Sequence, residues 1–460
     1  MDEGAQYTGA ARRDWLLSLS GEDRRDERLS VDAYISPEYL RLEKERLWPK
    51  VWQIACREEE IPDVGDFVEY TIFEESIVVV RAAPDRINAF YNVCQHRGRR
   101  LVKGRGAIRQ FRCPFHMWRY TLEGECAEIY QGDDYVSLCR EDVSLKPVRV
   151  DIWQGWVFVN MDPDAEPLLD YLAPVPEYID PYEIGKMRLR WHKTVIVPCN
   201  WKTAQEAFIE NYHVASVHPQ LLPYVDDRAL SFRHGKHSHY TMAPDNTGFA
   251  TPAPQLNVTT PKPAKKLLLD FLELQEADLK AMFTPLDIEA MKRLKDLPDD
   301  TPAGEVFVKM VETVREIMSQ DGSGGLTISL QQMMRAGADW HVFPNHVFLP
   351  THSGVLAYRF RLNGDDPNSA IFDIYSLMRY PAGQEPPLKH EFYAEWSEKG
   401  LGRVLTQDYA NMEATQLGMH SRGFSGSRPN PVQESAIANY HRALQEYLNA
   451  PSAPKPDSRG

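Results

Sequence analysis

Short runs of alternating or blocked apolar residues fill two parts of the chain, and helical spacing of apolar positions fills the rest. In "SPEYLRLEKERLWPKVW", Ser36 stands as an N-cap with Pro37 in the first turn, and apolar residues follow at helical spacing. Residues 1–45 are therefore expected to be mostly helical. From "FVEYTIFEESIVVVRA" through "INAFYNVC" to "VDIWQGWVFVNMDP", β-branched and aromatic residues alternate or cluster between Pro, Gly and Asp, the pattern of small antiparallel strands. A small all-β domain is thereby bounded at 46–162.

Beyond "DPDAEPLLDYLAPVPEYID" the elements lengthen. "MRLRWHKTVIVPCNW" predicts a strand and "WKTAQEAFIENYHVASVH" a single helix. A charged helical stretch at 265–320, between "TPKPAKK" and "DGSGG", predicts an insertion or lid. Strands are expected again in "LTISLQQMMRAGADWHVFPNHVFLP", "GVLAYRFRLNG" and "AIFDIYSLMRY", spaced for an antiparallel sheet. Helices near 406–420 and 431–449 follow, and the tail 451–460, "PSAPKPDSRG", predicts disorder.

Length and composition narrow the class. At 460 residues the chain exceeds one ordinary core, so two domains or a large domain with an insertion are expected. A net charge of -14 argues against a nucleic-acid binder, and the basic stretch from Arg97 to Arg112 belongs to the loops it surrounds. The first residues lack a signal-peptide pattern and no run of 18 apolar residues occurs, so a cytoplasmic protein without membrane association is expected. The six cysteines are too sparse for a disulfide scaffold. Cys56, Cys126, Cys139 and Cys199 sit in no ligand pattern and are expected to be small buried side chains.

Cys94-x-His96, then Cys113-x-x-His116 after an intervening 16 residues, put one thiol and one imidazole on each of two short loops. A structural zinc site and an iron–sulfur centre with two His on one iron both use such donors. A zinc finger tends to pair Cys with Cys, whereas the mixed order suits a two-iron cluster with Cys94 and Cys113 on one iron and His96 and His116 on the other. Gly98 and Gly104 are expected to turn the backbone and aim N–H groups at bridging sulfides, Pro114 to stiffen the second loop, and Trp118 to shield the edge from water.

On the expected helix, Glu206, Glu210 and His213 fall on one face. His213 and His218 would lie about 140° apart on a continuous helix, but Pro219 biases His218 out of the α region and lets both imidazoles meet one ion. A mononuclear iron site needs a carboxylate as well. Asp408 is a candidate, at the opening of a late helix with Thr406 as its cap; from local sequence alone an acid facing the helix dipole is the better reading.

The pattern Cys-x-His-Arg-Gly, a gap, then Cys-Pro-aromatic-His-x-Trp resembles the Rieske family, with Met117 where Gly or Ala is frequent. Together with His213-x4-His218 and a distant Asp408 before Asn411-Met412, the chain resembles the catalytic α subunit of Rieske non-heme iron ring-hydroxylating oxygenases over nearly its whole length. The resemblance implies an α+β protein: an N-terminal helical segment (1–45) packing on the catalytic domain, an all-β Rieske 2Fe-2S domain (46–162), a helix-grip catalytic domain with an antiparallel sheet (163–450) carrying the 265–320 insertion, and the 451–460 tail. It implies a 2Fe-2S cluster on Cys94, His96, Cys113 and His116, mononuclear Fe(II) on His213, His218 and Asp408, and a catalytic role for Glu210 bridging that iron site to a Rieske His of a neighbouring subunit. A homotrimer follows, possibly with a β subunit.

No G-x-G-x-x-G follows a strand, so electrons are expected from a separate ferredoxin or NAD(P)H-dependent reductase. Dioxygen would be the oxidant, and a small hydrophobic aromatic or alicyclic ring the substrate, dihydroxylated, with monooxygenation, oxidative demethylation and a non-catalytic electron carrier as alternatives. Pocket walls are expected from Ala207, Phe208, Val217, the segment "WHVFPNHVFLP", Val404 and Leu405.

Overall fold

A computed structural model describes residues 9–19, 25–278, 283–396 and 398–450. The chain divides into two compact units, one of Met1–Tyr39 with Leu172–Gln445 and one of Leu40–Tyr171 with Glu446–Gly460. The smaller unit thus extends past both expected bounds, 46 and 162, and the N-terminal segment is shared: residues up to Tyr39 go with the larger unit and the rest of the expected 1–45 segment with the smaller. The expected disordered tail lies outside the described residues.

The N-terminal elements are α1 (Gly9–Leu19), a two-residue strand β1 (Leu29–Ser30), α2 (Asp32–Ile35) and α3 (Pro37–Leu42). As the sequence predicts, α3 begins at Pro37, with the Ser36 hydroxyl accepting from the Tyr39 amide at 3.3 Å.

In the smaller unit, β2 (Gln53–Arg57), β3 (Asp66–Ile72), β4 (Glu75–Ala83), β5 (Arg86–Tyr91) and β6 (Arg105–Ala107) precede a small hairpin sheet of β7 (Phe111–Arg112), β8 (Arg119–Tyr120) and β9 (Cys126–Glu128). Strands β10 (Pro147–Trp153) and β11 (Trp156–Asn160) complete an antiparallel sheet in the order β2-β11-β10-β5-β4-β3-β6. Val78 and Val80 of β4 belong to a core that also contains Phe90, Phe111, Trp118, Tyr120, Cys94 and Cys113. The loop thiols are thus part of the packing itself. Cys139 departs from expectation: it is exposed, in the turns between β9 and β10, where the adjacent Leu138 is the residue that packs against the core.

After α4 (Leu168–Leu172), which belongs to the smaller unit up to Tyr171, the larger unit continues with α5 (Val175–Ile179), β12 (Arg188–Val197), α6 (Trp201–Glu206), α7 (Val214–Val217), β13 (Ala229–His234) and β14 (His237–Met242). Next come the helices α8 (Ala264–Asp278), α9 (Pro285–Arg293), α10 (Ala303–Asp321) and α11 (Leu330–Ala336), then β15 (Asp339–Val342), β16 (His346–Pro350), β17 (Gly354–Leu362), β18 (Ala370–Met378) and β19 (His390–Tyr393). The chain closes with α12 (Glu398–Leu401), α13 (Arg403–Met419), β20 (Gly426–Ser427), which pairs with β1, and α14 (Ser435–Asn449). The sheet order is β13-β14-β15-β16-β17-β18-β12-β19, antiparallel throughout except for the β12–β19 pair.

Among the described residues of 265–320, α8, α9 and α10 account for most of the stretch, and these helices pack on one another. Val306, Met310, Val311, Val314, Ile317 and Met318 make one buried stripe of α10. At the start of α9, Thr284 and Asp287 form a capping box, and the buried Asp287 carboxylate also accepts from Ser353 in the β16–β17 turn at 2.6 Å.

Three expectations for the larger unit need correction. Residues 330–336 are helix rather than strand, because Ser329 and Gln332 form a capping box that starts α11. The late helix begins at Arg403 behind Gly402, so Thr406 is not its cap: the Thr406 hydroxyl bonds back to carbonyls of Gly402 and Arg403. The helix expected across 201–218 is broken between Glu206 and Val214. There the Glu210 carboxylate accepts from the amides of Tyr212 and His213, and Asn211 donates to the Asp227 carbonyl at 2.6 Å, so side chains replace the helical ladder. Glu206, Glu210 and His213 consequently do not share a helix face; Glu206 turns instead to Tyr34 at 3.0 Å and His441 at 2.6 Å.

Candidate metal centres

The two cysteine-bearing loops close with the same hydrogen bonds. In the first, Gly98 N–H donates to the Cys94 carbonyl at 3.0 Å and Cys94 N–H to Arg99 at 2.9 Å; in the second, Met117 N–H donates to Cys113 at 3.1 Å and Cys113 N–H to Trp118 at 2.8 Å. Each loop therefore needs a left-handed residue four positions after its cysteine. Gly98 (φ +72°) fills that position freely, whereas Met117 (φ +58°) fills it at the cost of local strain. Buried Asn92 fastens the first loop, accepting from the Leu101 and Val102 amides and donating to the Val102 carbonyl and Ser76.

His96 and His116 face each other with ring centroids 4.6 Å apart, and Trp118 stacks on His96 at 4.9 Å with the planes 8° apart. The Nδ1 atoms of both histidines are buried without a hydrogen-bond partner. Burial pushes the Cys94 thiol up and pulls the His96 imidazole down, the latter helped by His116 and Arg97. Two buried thiols and two unpartnered ring nitrogens fit a 2Fe-2S cluster with mixed ligation. Tyr120 adds a group absent from the sequence reading: its hydroxyl lies 3.3 Å from Cys94 Sγ and accepts from the Gln95 amide at 3.0 Å. The glycine amides do not serve as anticipated. Gly98 N–H is taken by the Cys94 carbonyl and Gly104 N–H by the Glu69 carboxylate at 2.8 Å.

In the larger unit the two ends of α7, His213 before it and His218 after it, and the second turn of α13 bring His213, His218 and Asp408 together, with one donor atom from each lying within 4.8 Å of the others. His218 Nε2 is 2.8 Å and His213 Nε2 3.7 Å from Asp408 Oδ1. The helix start at Arg403 places Asp408 past the first turn, which removes the reading of it as a dipole-facing acid. The far ring nitrogens are occupied: His213 Nδ1 is 2.6 Å from Glu210 Oε1, and His218 Nδ1 is 3.1 Å from Gln407 Oε1. Both partners are acceptors, so each Nδ1 carries the hydrogen and each Nε2 lone pair points inward. Burial pulls the His213 imidazole down, but Glu210 and then Asp408 outweigh it and raise it overall. Two imidazoles and one carboxylate converging this way fit a mononuclear iron site with open positions.

Beside Glu210 and His213 runs a cleft of about 190 Å³ lined by Glu206, Ala207, Asn411, Met412, Arg428 and Glu434 among others. Of the expected wall residues only Ala207 lines it. Phe208 packs on Tyr358, Phe360 and Phe372 of the sheet, and Val404 joins a cluster with Val214, Leu221 and Phe271. Gln407, Glu434 and Tyr120 were not singled out from the sequence; of these only Gln407, next to Asp408, had a positional hint.

A family model for the ring hydroxylating alpha subunit catalytic domain matches residues 178–450. This chain belongs to that family. A model of the Rieske 2Fe-2S domain matches residues 51–138, spanning all four candidate cluster ligands. The carnitine monooxygenase oxygenase subunit of Escherichia coli (strain K12) is 34% identical over 219 residues, 46% of this chain and 56% of that protein. The glycine betaine monooxygenase oxygenase subunit of Chromohalobacter salexigens is 32% identical over 219 residues, 46% and 48% of the two chains. The anthranilate 1,2-dioxygenase large subunit of Acinetobacter baylyi is 31% identical over 211 residues, 44% of each. The matched segment thus spans about half the length of these curated relatives.

The fold is similar to that of a quaternary ammonium Rieske monooxygenase with L-carnitine, at a TM-score of 0.62 and 18% identity over 93% of this chain and 97% of that one. Naphthalene 1,2-dioxygenase from Rhodococcus sp. gives a TM-score of 0.61 at 18% identity over 92% and 95%. The α+β class with a Rieske domain ahead of a catalytic domain is as the sequence predicts. Among the described residues no helix is long and apolar enough to cross a membrane.

Proposed function

We propose that the chain is the terminal oxygenase component of a Rieske non-heme iron system, with Cys94, His96, Cys113 and His116 holding the cluster and His213, His218 and Asp408 holding Fe(II). The observation that carries this reading is the convergence of His213, His218 and Asp408 in a chain that also carries a Rieske domain. When bound, the cluster supplies electrons one at a time and the mononuclear iron supplies open positions for dioxygen and substrate. Glu210 and Gln407 fix the tautomer and tilt of the two imidazoles, so the ligand nitrogens are set before metal arrives. Glu210 also lines the cleft beside His213, a position suited to a hydrogen bond with a Rieske histidine of a second copy. A homotrimer, possibly with a β subunit, supplied by a separate ferredoxin or NAD(P)H-dependent reductase, completes the reading.

For the substrate, the likeness to carnitine and glycine betaine monooxygenases supports monooxygenation of a cationic amine over dihydroxylation of a hydrophobic ring. Ring dihydroxylation is a second reading, supported by the likeness to anthranilate 1,2-dioxygenase. Iron and acid-labile sulfide assays with an EPR spectrum of the reduced protein test both centres; a colourless, zinc-only protein rejects them. Labelled dioxygen with product analysis separates one incorporated oxygen atom from two. Glu210→Gln is expected to spare cluster colour and iron content while depressing coupled turnover, and normal turnover in that variant rejects the bridging role.

A further inference from the structure

Two buried aspartates sit in the same sheet and are treated very differently. Asp373 of β18 is fully engaged, by Arg359 at 2.9 Å, Arg361 at 2.9 Å and Thr194 at 2.6 Å. Asp339, at the start of β15, is 1% exposed, and its Oδ2 has no hydrogen-bond partner. Among the described residues no basic side chain forms an ion pair with it; the Tyr240 backbone amide is its one favourable partner. A buried carboxyl with one oxygen left without a hydrogen-bond partner and no ion pair is costly.

Register fixes the direction in which Asp339 points. It pairs with Tyr240, while His341, two residues on and so on the same face, pairs with Val347, which in turn pairs with Tyr358. Tyr358 touches Phe208, so this face looks toward the segment that carries Glu210 and His213. The charges interact accordingly: Tyr358 lies in the field of both Asp408 and Asp339, and Tyr240 in that of Asp339 and Glu210. Asp339 therefore lies on the sheet face that looks toward the proposed iron site, with Tyr240 opposite it on β14 and Tyr358 on the same face at β17.

We propose that Asp339, on a sheet face shared with Tyr240 and Tyr358, anchors a cationic amine headgroup and thereby sets the substrate class of the proposed iron site. The inference rests on the oxygenase reading and deepens it by naming a residue. A cation there would meet a carboxylate that no basic side chain among the described residues pairs with, on a sheet face that also carries Tyr240 and Tyr358. Burial, and then the neighbouring Glu210, make an ionised Asp339 unfavourable in the free protein, a cost that a bound cation offsets.

The test is calorimetric binding to the anaerobic holoenzyme, in preparations assayed for iron and sulfide, using choline and its neutral carbon isostere 3,3-dimethylbutan-1-ol. Choline is expected to bind at least about tenfold tighter than the alcohol, a difference of about 1.4 kcal/mol. In Asp339→Asn the choline affinity is expected to fall to that of the alcohol, with alcohol binding and iron content unchanged. Equal binding of the pair by the unmodified protein, no binding of choline, or an Asp339→Asn variant that keeps the preference would each overturn the proposal. If the variant does not fold, the comparison in the unmodified protein decides alone. Missing iron or sulfide would instead sink the oxygenase reading, so the two failures are told apart in one preparation.

Discussion

The two candidate centres are built in opposite ways. The cluster site is local: two loops of one small unit, closed by identical backbone hydrogen bonds and fastened by Asn92. The mononuclear site is assembled, from a break in one helix and the body of another some 190 residues away. A local site is held by its own backbone, whereas an assembled one depends on side chains that hold each donor from behind. The first should resist point changes outside its loops. The second should not.

The sharpest way to separate the two is to remove one. Asp408→Ala is expected to eliminate product formation and about a third of the iron per chain while leaving the reduced-cluster EPR signal, since the cluster ligands share no element with α13. Loss of the cluster signal as well would mean the sites are not independent. Gln407→Leu probes the support from behind: with His218 Nδ1 left without its acceptor, iron affinity should drop by about 10–100-fold, measured by chelator competition. The candidate cluster histidines are placed differently: their unpartnered Nδ1 atoms are the ones free for iron, and Trp118 stacks on the His96 ring.

Smaller effects are expected from charge. Burial, with Glu210 and Glu206 nearby, pushes the Glu434 carboxyl up to about 7. A carboxyl raised on folding favours the folded state most below its unfolded pKa near 4.5, and that contribution is lost as pH rises through about 7. Glu434→Gln should therefore flatten the stability–pH curve between about 4.5 and 7 and add on the order of 2 kcal/mol above pH 7, read from urea unfolding of the metal-free protein. An unchanged curve would show that the acidic wall beside His213 carries no strain.

The smallest effect tests the equivalence of the two loops. Met117→Gly should stabilise by roughly 0.5–1 kcal/mol and Gly98→Ala should cost about 1 kcal/mol, because a Cβ at Gly98 meets nothing within 4 Å and only the backbone objects. Opposite signs in thermal melts would support a common loop design, and equal signs would break it.

This contrast also explains what could be read from the sequence. The cluster loops are short-range patterns, so Cys94, His96, Cys113 and His116 stand out unaided, and so does the strand-rich region around them. Asp408 does not, because an acid near the start of a helix has a bland reading until the fold brings it to His218. The break at 207–213 was hidden because Glu210 and Asn211 compete with the helix through bonds that depend on where Asp227 ends up. Asp339 had a signal that went unused: an acid inside a strand-forming run is unfavourable unless something meets it.

The contact between Asp287 and Ser353 bears on how anything enters the protein. Any outward swing of α9, which carries Thr284 and Asp287 together, would strip their buried capping box of the Ser353 hydroxyl. That end of the helical layer is a rivet, and traffic to and from the sheet's helix-facing side has to find a doorway elsewhere.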